Sequence, residues 1–524
     1  MRRFFLSIPL FFGFLFSSGQ NLESNIRWVK VLSAYGVGLN GMYPLSATDK
    51  DGNFVMLTYL EGELKIDHSH ISNAPQLSYS SILKFDSLGN LIFYKHMSNS
   101  GYPFGLAIDG ANNIFVSYLS LSSGQTKILS KVSPTGNIIW KDSLQHQMLT
   151  SSFYYNELAA DSIGNLFLGS SNNQPGSVYF NSDSLFGDST GLSFFILKID
   201  PNGGLAQNRF FVDNSNQWSF SYCYLSAIAF NRYSGQLVII GNSELGHLEV
   251  GSAPHDTVGP GSFVVKYNTN LDVIDKSEFP GGQTFGHCLN FDKNNNGYVS
   301  FNFQNWMIID GDTLDANGGT GGAIVKLDPD LNHNWYRFID NNEGNTSIIT
   351  SSVRPSGSIY FTIDDDDSLA SKLGPDGNFR WNFFLAGAPI NYVYRIITCG
   401  RENQLYGTIG FNAPVVINGI TYVPDSFSVL LYNMNDPDSL VAIEEYEKLN
   451  LSVFPNPSNT EIKILSPESM VESIEIYNLL GDRIDFMEIG GFNKTIDTRN
   501  YIPGFYFLSI QTIHGIAIRK VMIQ

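Results

Sequence analysis

Carboxylates, histidines and cysteines are the side chains able to hold a metal or move a proton. Asp292-Lys293-Asn294-Asn295-Asn296-Gly297 puts the oxygen donors Asp292, Asn294 and Asn296 at alternate positions ahead of a glycine, as the start of a calcium loop does. The twelfth position, which needs a bidentate glutamate, is Phe303. A solvated turn accounts for the same residues, so no metal site is assigned. Asp364-Asp365-Asp366-Asp367 reads as a solvated loop whose charge keeps neighbouring strand edges apart. His68 and His70 would share one face of a strand, but they lack a third ligand. Cys223, Cys288 and Cys399 are odd in number and have neither metal-ligand nor redox spacing, so buried thiols are expected. The sequence has no His-Glu-x-x-His and no Gly-Lys-Ser/Thr phosphate loop, and no cofactor is expected. Asp49, Asp109, Asp161 and Asp292 recur at one place in a repeat, which argues for a structural cap. Paired acid and base carboxylates drawn from different repeats would leave no local spacing.

The elements that must position these residues form a repeat, clearest at residues 106–140. Its first half is a small apolar strand, an acidic residue, a turn and an apolar strand: Ala107-Ile108-Asp109, Asn112-Asn113, Ile114-Phe115-Val116. Its second half is a strand carrying Lys131, the turn Pro134-Thr135-Gly136-Asn137 and a strand carrying Trp140. The first half recurs from Asp49, Asp109, Asp161, Asn231, Asp292, Arg354 and Gly400. The second recurs with Lys84, Lys131, Lys198, Lys266, Lys326 and Lys372, and with Leu431 in a seventh copy. Two interleaved landmarks thus each count seven, and a repeat of this kind fixes the architecture ahead of local propensity.

Each unit offers four short strands, and four antiparallel strands repeated radially make a β-propeller. The expected fold is all-β: a seven-bladed β-propeller over 26–435, a linker at 436–449 and a small Ig-like β-sandwich over 450–524. The seventh copy meets Asp436-Pro437 and lacks a fourth strand, whereas a spare strand, Arg27-Trp28-Val29-Lys30-Val31, precedes the first copy. Residues 27–32 are therefore expected beside 428–432. The insertions Ile309-Asp310-Gly311-Asp312-Thr313-Leu314 and Ile417-Asn418-Gly419-Ile420 are expected to be rim hairpins.

Composition agrees with this reading. At 524 residues the chain exceeds one ordinary core, and 43% hydrophobic content allows packed domains. Its 49 glycines suit many tight turns. A net charge of −18 argues against nucleic acid, which needs a basic face. Residues 1–19 read as a signal peptide, with Arg2 and Arg3, an apolar stretch over 4–16, and Ser17-Ser18-Gly19. That stretch is short for a bilayer, so no transmembrane span is expected.

The half-motifs resemble bacterial propeller repeats of the SBBP type, best in Phe263-Val264-Val265-Lys266-Tyr267 and Ala323-Ile324-Val325-Lys326-Leu327-Asp328. This resemblance implies a propeller and no single chemistry. A second one lies in the last seventy-odd residues: Val453-Phe454-Pro455-Asn456-Pro457-Ser458-Asn459, Ile476-Tyr477-Asn478 with Gly481, Gly504-Phe505-Tyr506-Phe507 and Arg519-Lys520-Val521. These stretches resemble the type A C-terminal sorting domain of type IX secretion cargo from Bacteroidetes. The resemblance implies sorting-motif roles for Pro455, Asn456, Pro457, Tyr477, Gly481, Gly504, Tyr506, Arg519 and Lys520. It also implies recognition by an outer-membrane translocon and a secreted or cell-surface destination, reached through the periplasm and outer membrane. The functional expectation is a binding or adhesion-type protein with no evident catalytic activity, its ligand a surface glycan or protein. The alternative is a secreted polysaccharide hydrolase or lyase with carboxylates at the propeller mouth.

Overall fold

The computed structural model describes residues 22–34, 44–61, 63–71, 78–122, 126–146, 156–171, 177–186, 192–212, 223–243, 248–251, 257–339, 346–364, 368–384, 390–401, 403–425, 428–437, 451–467, 470–478, 483–512 and 515–524. Residues 1–19, most of 436–449, Gly481 and Asp365-Asp366-Asp367 lie outside the described residues. The chain divides into two compact units, Met1–Asp436 and Pro437–Gln524. Among the described residues the protein is nearly all β, with one 3-10 turn at Glu23–Asn25.

Among the described residues the first unit contains five four-stranded and two six-stranded antiparallel sheets, each built on a set of four strands, besides two two-stranded hairpins. In chain order, the first has Leu45–Thr48, Phe54–Glu61, Ser78–Phe85 and Leu91–His96, and the second Ser100–Ile108, Ile114–Ser120, Thr126–Val132 and Ile138–His146. The third has Leu158–Ala160, Leu166–Ser171, Leu192–Ile199 and Leu205–Val212, and the fourth Cys223–Asn231, Gln236–Ser243, Gly261–Tyr267 and Val273–Phe279. The fifth has Thr284–Phe291, Gly297–Ile309, Asp312–Leu327 and His333–Ile339, and the sixth Ile348–Val353, Ile359–Ile363, Ser368–Leu373 and Phe379–Phe384. The seventh takes Ile390–Cys399, Gln404–Phe411 and Ser428–Asn435 from the end of the unit, and its fourth strand, Ile26–Ala34, from the beginning. Val29 pairs with Tyr432 and Ser33 with Ser428, so the spare N-terminal strand lies where its likeness to other fourth strands places it.

The sheets pack face to face in sequence order. Each first strand lies against the first strand of the next sheet, and Ile390–Cys399 lies against Leu45–Thr48, which makes the order cyclic. Burial follows from this packing. Gly261–Tyr267, a third strand covered on both faces, is buried at every residue, whereas the outer strand Leu91–His96 is only half-buried. Interfaces between sheets are filled by large apolar side chains: Val55, Leu57 and Ile82 of the first sheet meet Leu106, Val116 and Tyr118 of the second. Truncating a fully buried ring such as Phe115 to alanine costs about 3–5 kcal/mol.

Hairpins decorate the rim. Ile309 pairs with Asp312 and Ile417 with Ile420, as the insertion sequences predict. Two further hairpins extend the sheet that precedes their own. Leu64–Ile66 adds to Ile26–Ala34, and Val178–Phe180 adds to Ile138–His146.

The second unit has a three-stranded sheet, Ser452–Phe454, Glu461–Leu465 and Asn493–Asp497. It also has a four-stranded one, in spatial order Arg483–Gly491, Val471–Tyr477, Gly504–Thr512 and Gly515–Ile523. Their inner faces share one core, in which Ile462, Ile464 and Ile496 meet Ile474, Leu508 and Val521.

Candidate functional site

The recurring acids are held by their own turns. Asp49 Oδ1 accepts from the backbone of Asp51 and Asn53 at 3.0 and 2.9 Å, and its Oδ2 accepts from Asn53 Nδ2 at 2.9 Å. Asp109 and Asp161 repeat this arrangement with Asn113 and Asn165. At Asp292 the backbone of Asn294 and Asn296 donates to Oδ1 at 2.8 and 3.0 Å, and Asn296 Nδ2 and the Tyr298 hydroxyl donate to Oδ2 at 2.7 and 3.0 Å. Both oxygens of Asp292 are thus engaged within the turn. Burial pushes the Asp49 carboxyl upward, but hydrogen bonds from Lys84 and Asn53 outweigh it and hold the group below its ordinary value.

The recurring lysines bridge neighbouring sheets. Lys84 Nζ reaches the carbonyl of Pro134 at 3.3 Å, Lys131 that of Pro201 at 3.2 Å and Lys198 that of Thr269 at 2.8 Å. Lys266 reaches Pro329 at 2.6 Å and Lys326 reaches Pro375 at 3.1 Å. Each acceptor is in the turn between the third and fourth strands of the next sheet. A lysine suits this task because its aliphatic stem crosses the apolar interface while its ammonium meets polar atoms at the far edge. The Lys131, Lys326 and Lys372 ammonium groups also lie 5.0–5.4 Å from the ring centroids of Phe115, Tyr298 and Tyr360. Tryptophans of the fourth strands use the same acceptors: Trp140 donates to Pro201 O and Trp335 to Pro375 O, at 3.1 and 3.0 Å.

The pattern changes where the chain leaves the seventh sheet. The fourth strand of this sheet, Ile26–Ala34, does not follow Ser428–Asn435 in the chain, so no turn joins the two to offer Lys372 a carbonyl. The Asp436 carboxylate takes that place, accepting from Lys372 Nζ at 2.8 Å, from Trp381 Nε1 at 3.1 Å and from the Tyr360 hydroxyl. Asp436 is buried, a role its place beside Pro437 does not announce. The sequence reading also misses a buried ion pair between Lys127 and Glu157. The Lys127 ammonium meets Glu157 Oε2, donates to Ser170 Oγ at 3.0 Å and sits 4.8 Å from the Phe104 ring centroid.

The other candidates do not converge. His68 faces Asp425 at 3.1 Å and His70 faces Glu63 at 2.5 Å, both on the exposed rim. Asp364 accepts from the Ser347 backbone at 2.6 Å, and burial raises its carboxyl. Cys288 and Cys399 lie on first strands, where burial raises both thiols, Cys399 to about 11. Cys223 lies on a described strand. Where first strands meet, small polar contacts dominate: Thr48 Oγ1 donates to Cys399 O at 2.7 Å, and Thr350 Oγ1 accepts from Ile397 N at 3.1 Å. Among the described residues, no three His, Cys, Asp or Glu side chains gather as a metal site would require.

In the second unit Asn456, between Pro455 and Pro457, clamps the last strand. Its Nδ2 donates to Lys520 O at 2.9 Å and its Oδ1 accepts from Met522 N at 2.8 Å. Tyr506 turns into the core and its hydroxyl donates to Ile502 O at 2.8 Å, just before the strand that Gly504 opens. Tyr477 lies on the outer face and donates to Glu475 at 2.7 Å, while Arg483 donates to the other oxygen of Glu475 at 2.8 Å. Lys520 is exposed with its ammonium 4.1 Å from the Phe505 ring centroid, and the half-buried Arg519 precedes it.

Comparison with known proteins divides along the same line. No curated protein matches the chain in sequence. Among solved structures it is similar to a protein of unknown function from Bacteroides caccae, at 12% identity over 58% of this chain and 89% of that one, with a TM-score of 0.32. It is also similar to PorZ, a surface component of the type IX secretion system of Porphyromonas gingivalis, at 12% identity over 91% and 81%, TM-score 0.23. A catalytically inactive virginiamycin B lyase from Staphylococcus aureus is 10% identical over 77% and 99%, TM-score 0.35. Residues 452–524 match the family model of the secretion system C-terminal sorting domain. No helix among the described residues is long and apolar enough to cross a membrane. The chain carries a sorting domain for type IX secretion, which takes it to the cell surface or the extracellular space.

Proposed function

We propose that residues 26–435 form a seven-bladed β-propeller of SBBP-type repeats and act outside the cell as a binding module. In this reading a signal peptide at 1–19 starts export, a linker spans 436–449, and an Ig-like sandwich over 450–524 serves as the address. The cyclic order of the first strands and the lysine bridges between successive sheets support the propeller. One observation carries the binding role: the charged residues that the repeat supplies are engaged in structure. Asp49, Asp109, Asp161 and Asp292 cap turns, and Lys84, Lys131, Lys266 and Lys326 bridge sheets. Recognition then falls to the loops of the propeller, where such scaffolds place variable residues. A surface glycan or another protein is the proposed ligand. Incubating the purified full chain with a glycan array and with host-surface proteins tests this: retention without change to the ligand is expected, and depolymerisation of a polysaccharide would overturn it.

A further inference from the structure

Lys127 is a buried lysine that the repeat does not supply. It shares a strand with Lys131 at even spacing, so both project from the second sheet towards the third. Lys131 bridges at the turn end, whereas Lys127 lies at the opposite end, where first strands begin and second strands finish. Other junctions are joined at that end by neutral groups. Ser80 N donates to Ser100 Oγ at 2.8 Å between the first and second sheets, and Leu225 N to Ser171 Oγ at 2.9 Å between the third and fourth. Asn242 Nδ2 donates to Thr284 Oγ1 at 3.0 Å, and Ile348 N to Asn302 Oδ1 at 2.8 Å, at the next two junctions. Packing at this end does not need a charge, and a buried ion pair is a weak source of stability because both ions must leave water.

The pair is only partly used. The side chains of Lys127 and Glu157 are 1% and 9% exposed. The ammonium divides its donors among Glu157 Oε2, Ser170 Oγ and the Phe104 ring. Glu157 Oε1 is buried and accepts from no group among the described residues. Such an orphaned acceptor is rare enough in a folded protein to ask for a cause. The backbone around it is fixed, since Glu157 N donates to Phe104 O at 3.3 Å and Gly169 N to Glu157 O at 2.9 Å. Oε1 therefore has a set position, and because Lys127 already balances the charge, the donor it lacks is neutral. Two residues before Phe104, Tyr102 packs half-buried against Tyr59 with ring centroids 4.5 Å apart, which adds aromatic surface at this end of the sheets.

We infer that Glu157 Oε1 is a saccharide subsite, accepting from one sugar hydroxyl where the second and third sheets meet. Sites for small ligands pair aromatic walls with a few placed polar groups, and a sugar offers neutral hydroxyl donors to such a group. This inference rests on reading the first unit as a binding module and narrows its ligand to a glycan. The test applies the full chain to an array of neutral, amino and acidic oligosaccharides, beside the variant Lys127→Met with Glu157→Leu. Replacing both ions by apolar groups leaves no charge uncompensated, so the melting temperature is expected to hold or rise. Binding to the oligosaccharide that the parent chain retains is expected to weaken about tenfold or more, the worth of a hydrogen bond to a charged group. Lys127→Met with Glu157→Gln, which keeps an acceptor oxygen without the charge, should weaken it less. Unchanged retention by the apolar variant would overturn the subsite and keep the binding role. A melting temperature well below the parent's would make the pair structural and also overturn the subsite. Retention of host-surface proteins and of no oligosaccharide would overturn the ligand class, and retention of neither by the parent chain would overturn the binding role itself.

Discussion

Trp28 Nε1 donates across 3.1 Å to the carbonyl of Ser87, joining the fourth strand of the seventh sheet to a turn of the first. Ser87 holds the place in its turn that Pro134, Pro201 and Pro375 hold in theirs. By register the lysine place in the seventh sheet falls to Asn433, which pairs with Trp28 as Lys131 pairs with Trp140, and not to Leu431 as the sequence suggests, so Trp28 makes the bridge that lysine and tryptophan share elsewhere. The ring of Trp28 also covers Gly89, whose φ of +86° suits glycine, and a Cβ there would meet the ring at 2.8 Å.

Trp28→Phe keeps a ring over Gly89 but removes the donor. It should lower unfolding stability by about 1 kcal/mol, the usual net value of one hydrogen bond. Trp28→Ala should cost more, because the contact with Tyr406, 6.0 Å between ring centroids, is removed as well. Urea denaturation of the two variants checks the order.

Gly89→Ala and Gly311→Ala separate packing from backbone strain. Their φ values are +86° and +84°, but nothing lies within 4 Å of a Cβ at Gly311. Gly311→Ala should cost about 1–2 kcal/mol, the penalty of left-handed backbone. Gly89→Ala should cost more, by the clash with Trp28. Equal losses in calorimetry would contradict the close approach.

Asp436→Ala leaves the Lys372 ammonium buried without its carboxylate, and the side chains of both residues are at most 6% exposed. Losing one partner of such a pair costs about 3–5 kcal/mol. Lys326→Met, which removes a lysine from a backbone carbonyl, should cost less, because a carbonyl without its partner carries no net charge. Denaturation midpoints of the two variants test this ranking.

Stability should fall as the solution is acidified from about pH 6.5 towards pH 4. Burial lowers the His287 pKa from 6.5 to about 4. Between those values the unfolded chain binds a proton that the folded chain excludes, so stability rises with pH across that window. His287→Asn should flatten this part of the curve. An unchanged slope in urea midpoints measured from pH 4 to 7 would contradict the assignment.

Much of this was legible because the repeat writes itself into the chain at a fixed order. The lysines Lys84 to Lys372 mark third strands, and the likeness of Arg27-Trp28-Val29 to Asn334-Trp335-Tyr336 marks the displaced fourth strand. Asp436 was not legible, because its role follows from a turn that the seventh copy lacks. The Lys127–Glu157 pair joins different sheets with no periodic signal on either side. The address was legible for the opposite reason, since its landmarks lie within one short stretch matched by the sorting-domain model.

The most direct test of the account is a covalent bond between the two ends of the first unit. Ser33 and Ser428 are register partners, with their hydroxyl oxygens 2.9 Å apart. With Ser33→Cys and Ser428→Cys, mild oxidation should yield an intrachain disulfide, identified by peptide mass mapping, in a monomer that melts at a higher temperature. Free thiols at both positions, or crosslinks only between chains, would contradict the shared seventh sheet.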